Sequence, residues 1–117
     1  MNEPRPLARG DVVLVRFPFT DLSGLKVRPA LVVGQVTGDD LILAFVSSRT
    51  ARPPSPAEHH VDPSDPEFGR TGLRVASLVR LDRLVTLQRA LALRRLGAIG
   101  PRTQTAIAGA LRYVFDL

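Results

Sequence analysis

Short apolar runs, each stopped by turn-forming residues, succeed one another along most of the chain, and a helical period enters only near its end. Asp11-Val12-Val13-Leu14-Val15-Arg16-Phe17 is a β-branched run that Pro18 is expected to close. Thr20 to Gly24 is rich in turn formers, so a loop is expected from Pro18 to about Lys26. Pro29 to Val33 resumes as a strand, Gly38-Asp39-Asp40 turns the chain, and Leu41 to Val46 returns as the other arm of a hairpin.

From Ala51 to Pro66 the composition changes, with prolines at 53, 54, 56, 63 and 66. This reads as a long excursion carrying a short edge strand around Glu58 to Val61. Gly72 to Leu81 and Arg83 to Leu87 read as two further strands. Leu91 to Leu96 is ambiguous: its alanines and leucines favour helix, yet Gly97 and Gly100 break a helix early. The last element is clearer. Pro101 suits a first helical turn, and Ile107, Leu111 and Val114 recur at i, i+4 and i+7, which places them on one face. A helix from about Arg102 to Phe115 can cap an open end of a small barrel. The expected fold is mainly β with α, an SH3-like antiparallel barrel followed by an amphipathic helix.

A chain of 117 residues leaves room for one domain, taken as residues 1–117 with 1–8 as a flexible lead. Its apolar fraction of 44% is ordinary for a globular core. With no cysteine, disulfides, thiolate zinc sites and a thiol nucleophile are excluded. The N-terminal residues lack a signal peptide's apolar stretch, and no apolar run approaches the roughly 20 residues that span a bilayer. A soluble, cytoplasmic protein without membrane contact is expected. Sixteen basic residues, fifteen of them arginine, face eleven acidic ones. The net charge of +5 favours an anionic partner, nucleic acid or an acidic protein segment. Arginine's planar fork suits phosphate better than a lysine point charge does.

The chemistry must come from the residues present. No Gly-rich phosphate loop, no His-x-x-x-His and no Gly-x-Ser-x-Gly occurs. His59 and His60 are adjacent, so on a strand they point to opposite faces and make poor joint ligands. Asp62, Asp65 and Glu67 sit among prolines and read as a solvated loop. No metal and no cofactor is expected.

The segment from Gly10 to Gly24, continuing through Leu25-Lys26-Val27-Arg28-Pro29 to Val33, resembles the opening of PemK/MazF toxins. That family opens on Arg-Gly-Asp, an apolar strand and a flexible loop, then Arg-Pro and a second apolar strand. Arg9-Gly10-Asp11 and Arg28-Pro29 match in order and spacing. The likeness continues through Leu43-Ala44-Phe45-Val46-Ser47-Ser48, Ser77-Leu78-Val79 and Leu96-Gly97, and so covers nearly the whole chain. It makes Leu91 to Leu96 a strand. The implied activity is that of a toxin endoribonuclease, cutting single-stranded RNA without a metal. Attack by the 2′-hydroxyl leaves a 2′,3′-cyclic phosphate and a 5′-hydroxyl. A homodimer and a cognate acidic antitoxin are implied as well.

The resemblance makes Arg28 a catalytic residue, and its setting agrees. Pro29 pushes the preceding residue into extended backbone, so Arg28 enters a rigid strand in a restricted state. The family's partner is a threonine at the end of the third strand, where this chain has Ser47. Serine keeps the hydroxyl but loses the β-branch that restricts χ1. Ser48 is the alternative. Thr20, Asp21, Lys26, Ser48, Arg49, Ser77 and Arg83 are candidates for contact with unpaired bases and the backbone. Phe17 is better placed in the core, and with aromatics at 5% a broad stacking platform is not expected. Two other readings stay open. A CcdB-type toxin shares a similar barrel and helix but acts by binding DNA gyrase, and an inactive relative would bind RNA only.

Overall fold

Alternation decides the architecture. Along the first strand Val12 faces one way and Val13, Val15 and Phe17 the other, and all four are buried, so this strand must lie between two apolar layers. The computed structural model describes residues 6–21, 24–35 and 38–117, and the side chains of all these except 19–21, 24 and 25. Its elements are β1 (Asp11–Asp21), β2 (Gly24–Gln35), β3 (Asp40–Ser47), β4 (Glu58–Val61), β5 (Ser77–Gln88), β6 (Ala92–Ala98) and α1 (Pro101–Phe115). Single 3-10 turns occur at Gly69–Thr71 and Arg89–Leu91.

The strands form one sheet in the order β4-β5-β3-β2-β1-β6, with every neighbouring pair antiparallel. One face packs Val12, Leu31, Val46, Val79 and Leu81 against Ile107 and Ala110 of α1. The other buries Val13, Val15, Phe17, Ala30, Val32, Leu41 and Leu43. No second helix covers that face among the described residues; Leu7, Leu87, Leu91 and Ala92 pack against it instead. The edge strands β4 and β6 do not pair, and the curled sheet stays open. The mainly β fold with a C-terminal helix is the expected one.

Several expected boundaries move. Pro18 does not end β1: the ladder to β2 slips between Phe17 and Thr20, and the proline, lacking an N–H, falls in that irregular step. Asp21 pairs with Gly24, so most of the expected loop from Pro18 to Lys26 is strand. The two strands expected over 72–81 and 83–87 are one, beginning only at Ser77. Its ladder with β3 jumps from Leu84 opposite Ala44 to Arg80 opposite Phe45, leaving Leu81, Asp82 and Arg83 as a bulge. Leu91 to Leu96 falls largely in β6, the strand that the resemblance implied, and the edge strand Glu58–Val61 has the expected bounds.

Three further residues depart from expectation. Leu7 and Ala8, placed by sequence in a flexible lead, are tied down: Leu7 packs on the second cluster, and Ala8 donates its N–H to Asp11 Oδ2 at 2.8 Å. Glu67, read as part of a solvated loop, instead caps α1. Its carboxylate accepts the N–H groups of Arg102 and Thr103 at 3.2 and 3.1 Å, which satisfies two of the orphan donors at the helix start. Burial raises its pKa, but these hydrogen bonds outweigh that and leave it below the ordinary range.

Candidate active site

Pro29 opens the site. The β2–β3 ladder stops at Ala30 opposite Phe45, although both strands continue, to Arg28 on one side and Ser47 on the other. Proline has no N–H to extend a ladder, so the two strands part at this point. The fork leads into a cleft of about 1060 Å³ lined by Arg28, Pro29, Phe45 and Ser47 among others. The predicted arginine and the strand-end hydroxyl therefore face one space.

The hydroxyl is held. Ser47 Oγ accepts the Arg49 backbone N–H at 3.1 Å, a local turn that supplies some of the orientation a β-branch would give. Accepting that bond leaves the Ser47 O–H free to donate. Arg28 is exposed and donates from Nη1 to the Val27 carbonyl at 3.2 Å; no carboxylate pairs with it among the described residues. Its remaining N–H groups are available to an anion.

The lining is strongly biased in charge. Lys26, Arg28, Arg49, Arg74, Arg80, Arg83 and Arg94 contribute to it, and among the described residues no aspartate or glutamate does. Like charges gathered in a concave wall focus a positive potential into it. Of these, Arg80 is pinned: its Nε lies 3.2 Å from Glu58 Oε2, and its Nη2 lies 3.3 Å from Asp82. Glu58 is buried behind the wall and also takes a two-pronged bond from Arg52, at 2.7 and 2.6 Å. Those bonds, with the Ser55 N–H, hold its carboxyl at about 2.

The other sequence candidates divide. Lys26, Ser48, Arg49, Ser77 and Arg83 line the cleft with Arg28 and Ser47. Ser77 does so only marginally, since it is buried and donates its hydroxyl to the Val75 carbonyl at 2.8 Å. The side chains of Thr20, Asp21 and Phe19 lie outside the described residues. Phe17 is in the core, with its ring centroid 5.0 Å from that of Phe45. His59 and His60 lie on β4, away from the cleft lining, and burial pushes His59 below the ordinary range. Among the described residues no three His, Asp or Glu side chains gather as a metal site.

No curated protein sequence matches the chain significantly. A family model described as the PemK-like, MazF-like toxin of type II toxin–antitoxin systems matches residues 8–115. The chain belongs to this family. An endoribonuclease from a Mycobacterial species is 25% identical, with a TM-score of 0.68 over 100% of this chain and 95% of the other. An endoribonuclease in complex with its cognate antitoxin, also Mycobacterial, is 22% identical, with a TM-score of 0.72 over 96% and 97%. The Mycobacterium tuberculosis toxin MazF-mt6 is 20% identical, with a TM-score of 0.71 over 92% and 97%.

In this PemK/MazF chain, Gly10 and Asp11 of the Arg-Gly-Asp opening prove to be structural. Asp11 is buried and closes the turn from Ala8, while the Gly10 N–H and carbonyl bond to Val32 and Ile99. Sequence reasoning missed Arg74, Arg80 and Arg94 in the cleft. Arg80 was the most accessible of them, a lone cation between the apolar Val79 and Leu81. Arg94 lay in a segment of uncertain type, and Arg74 in one wrongly taken for strand.

Proposed function

We propose that this toxin is a metal-independent endoribonuclease that cuts single-stranded RNA in the Arg28–Ser47 cleft. The observation that carries the proposal is the convergence of an arginine-rich wall with a strand-end hydroxyl at the Pro29 fork, in a chain of this toxin family. RNA brings its own nucleophile. The O2′–P bond forms as the P–O5′ bond breaks, and the proton of the 2′-hydroxyl ends, net, on the departing 5′-oxygen. The products are a 2′,3′-cyclic phosphate and a 5′-hydroxyl, with no co-reactant consumed. Arg28 donates to the phosphoryl oxygens as negative charge builds on them, and the Ser47 O–H adds a second donor from the opposite strand.

The same reading supplies the partners. An acidic antitoxin segment complements a cleft whose charged lining, among the described residues, is cationic, and the Mycobacterial endoribonuclease solved with its cognate antitoxin supports such a ligand. We take the working toxin to be a homodimer acting in the cytoplasm. Within the described residues no helix is long and apolar enough to cross a membrane.

Matched RNA and DNA oligonucleotides, incubated with the protein in the presence of a chelator, test the proposal. RNA alone is expected to be cut. A folded Arg28→Ala variant is expected to be slower by about 100- to 1000-fold, the loss of one oxyanion donor. Intact RNA together with inhibition of DNA gyrase would overturn the enzyme in favour of a binding toxin.

A further inference from the structure

The β5 bulge does more than shift a register. Leu81, Asp82 and Arg83 have no partner on β3. Leu81 turns inward to full burial and gives its N–H to the Ala57 carbonyl at 2.9 Å, while Asp82 and Arg83 are exposed. Bulges beside functional sites re-aim side chains. Here the one re-aimed into the cleft wall is Arg83.

Arg83 differs from its neighbour Arg80. Arg80 is neutralised by Glu58 and Asp82, whereas Arg83 makes no ion pair or hydrogen bond among the described residues. Its guanidinium lies over the Phe45 ring, 5.5 Å from the centroid, and Phe45 in turn leans on the buried Phe17. The Phe45 ring, itself packed on Phe17, thus backs the cation. An exposed guanidinium held against a ring offers its plane to an unpaired base.

We propose that Arg83, seated on Phe45, is a nucleobase-stacking subsite of the cleft. It receives an unpaired base of the RNA close to the phosphate held by Arg28. The subsite rests on the ribonuclease reading above and adds to it a base contact that is indifferent to hydrogen-bond pattern. Arg83 therefore acts through its plane, and its charge alone does not replace it.

The test uses the Arg28→Ala protein as a binder that does not cut, with a single-stranded RNA that the parent toxin cleaves. Fluorescence anisotropy measures its affinity for that RNA and for a set of copies each lacking one base. One abasic position is expected to weaken binding on the order of tenfold. That penalty is expected to vanish in Arg28→Ala/Arg83→Lys, which keeps the charge and loses the plane, and equally in Arg28→Ala/Arg83→Ala. A penalty that survives Arg83→Lys makes Arg83 a phosphate contact and overturns the subsite. So does an RNA that is cut by the parent and bound by the variant with no base dependence at all. RNA that is neither cut nor bound overturns the ribonuclease reading itself, and the subsite falls with it. Because Arg83 is exposed, these substitutions leave the fold intact.

Discussion

A serine at the end of a strand keeps threonine's hydroxyl but not the methyl group that narrows its rotamers. In this chain the Arg49 N–H takes up part of that work by bonding Ser47 Oγ at 3.1 Å. A neutral hydrogen bond of about 1 kcal/mol already orients the group, so Ser47→Thr is expected to change kcat by no more than about threefold. Ser47→Ala removes the donor and is expected to cost about 100-fold. Initial rates on a quenched-fluorophore RNA measure both. An alanine variant as fast as the parent would move the role to Ser48. At this scale the sequence was informative where residues act as neighbours. Arg28 is set by the proline next to it, and that relation is visible in two letters. Arg74, Arg80 and Arg94 reach the same cleft from a loop and from two strands, β5 and β6, that lie far apart in the sheet order, and no local pattern announces such a meeting.

Elements were legible in kind and less so in extent. The apolar alternation gave β1, β2, β3 and the helical face of Ile107, Leu111 and Val114, all of which pack as their period requires. Pro18 was taken as a strand end and Asp82 as a break between two strands, because single-strand reasoning cannot tell a terminus from a bulge. Only the partner strand makes that distinction, by carrying on past the irregularity. Gly97 is a related case. It looks like a helix breaker, yet it sits in β6 with Gly72 close by, and the two backbones cross there. A methyl group at Gly97 would overlap the Arg70 carbonyl, and one at Gly72 the Leu96 carbonyl. Gly97→Ala is accordingly expected to destabilise the protein by about 3 kcal/mol, read as a fall in the midpoint of urea unfolding at unchanged slope. Gly109, which has open space around it on α1, is the control, and Gly109→Ala should be neutral or slightly stabilising.

Taken whole, the molecule sorts its charges. Acidic groups serve the frame, with Asp11 in a turn, Glu67 at the helix start and Glu58 behind the cleft wall, while the charged groups lining the cleft, among the described residues, are cations. The excess of arginine in the composition pointed to an anionic ligand but not to this segregation, which depends on the three-dimensional course of the chain. Glu58 also ties stability to pH. Its carboxyl stands at about 2 in the fold against an ordinary 4.5, so the stabilisation is complete above pH 4.5 and is lost as pH falls toward 2. Thermal melts followed by circular dichroism are expected to show Tm dropping over that window. Glu58→Gln should flatten the drop while lowering stability at neutral pH by about 1–3 kcal/mol, since Arg52 loses its charged partner and Arg80 keeps only Asp82. An unchanged acid profile in that variant would place the titrating group elsewhere.

The fork at Pro29 has a consequence for how tightly anything can sit there. What keeps β2 and β3 apart is a missing amide hydrogen, fixed when the chain is made. The slot therefore exists before any strand of RNA arrives, and main-chain ordering takes little from the affinity at its mouth. Discrimination between ligands falls to the side chains on the rim.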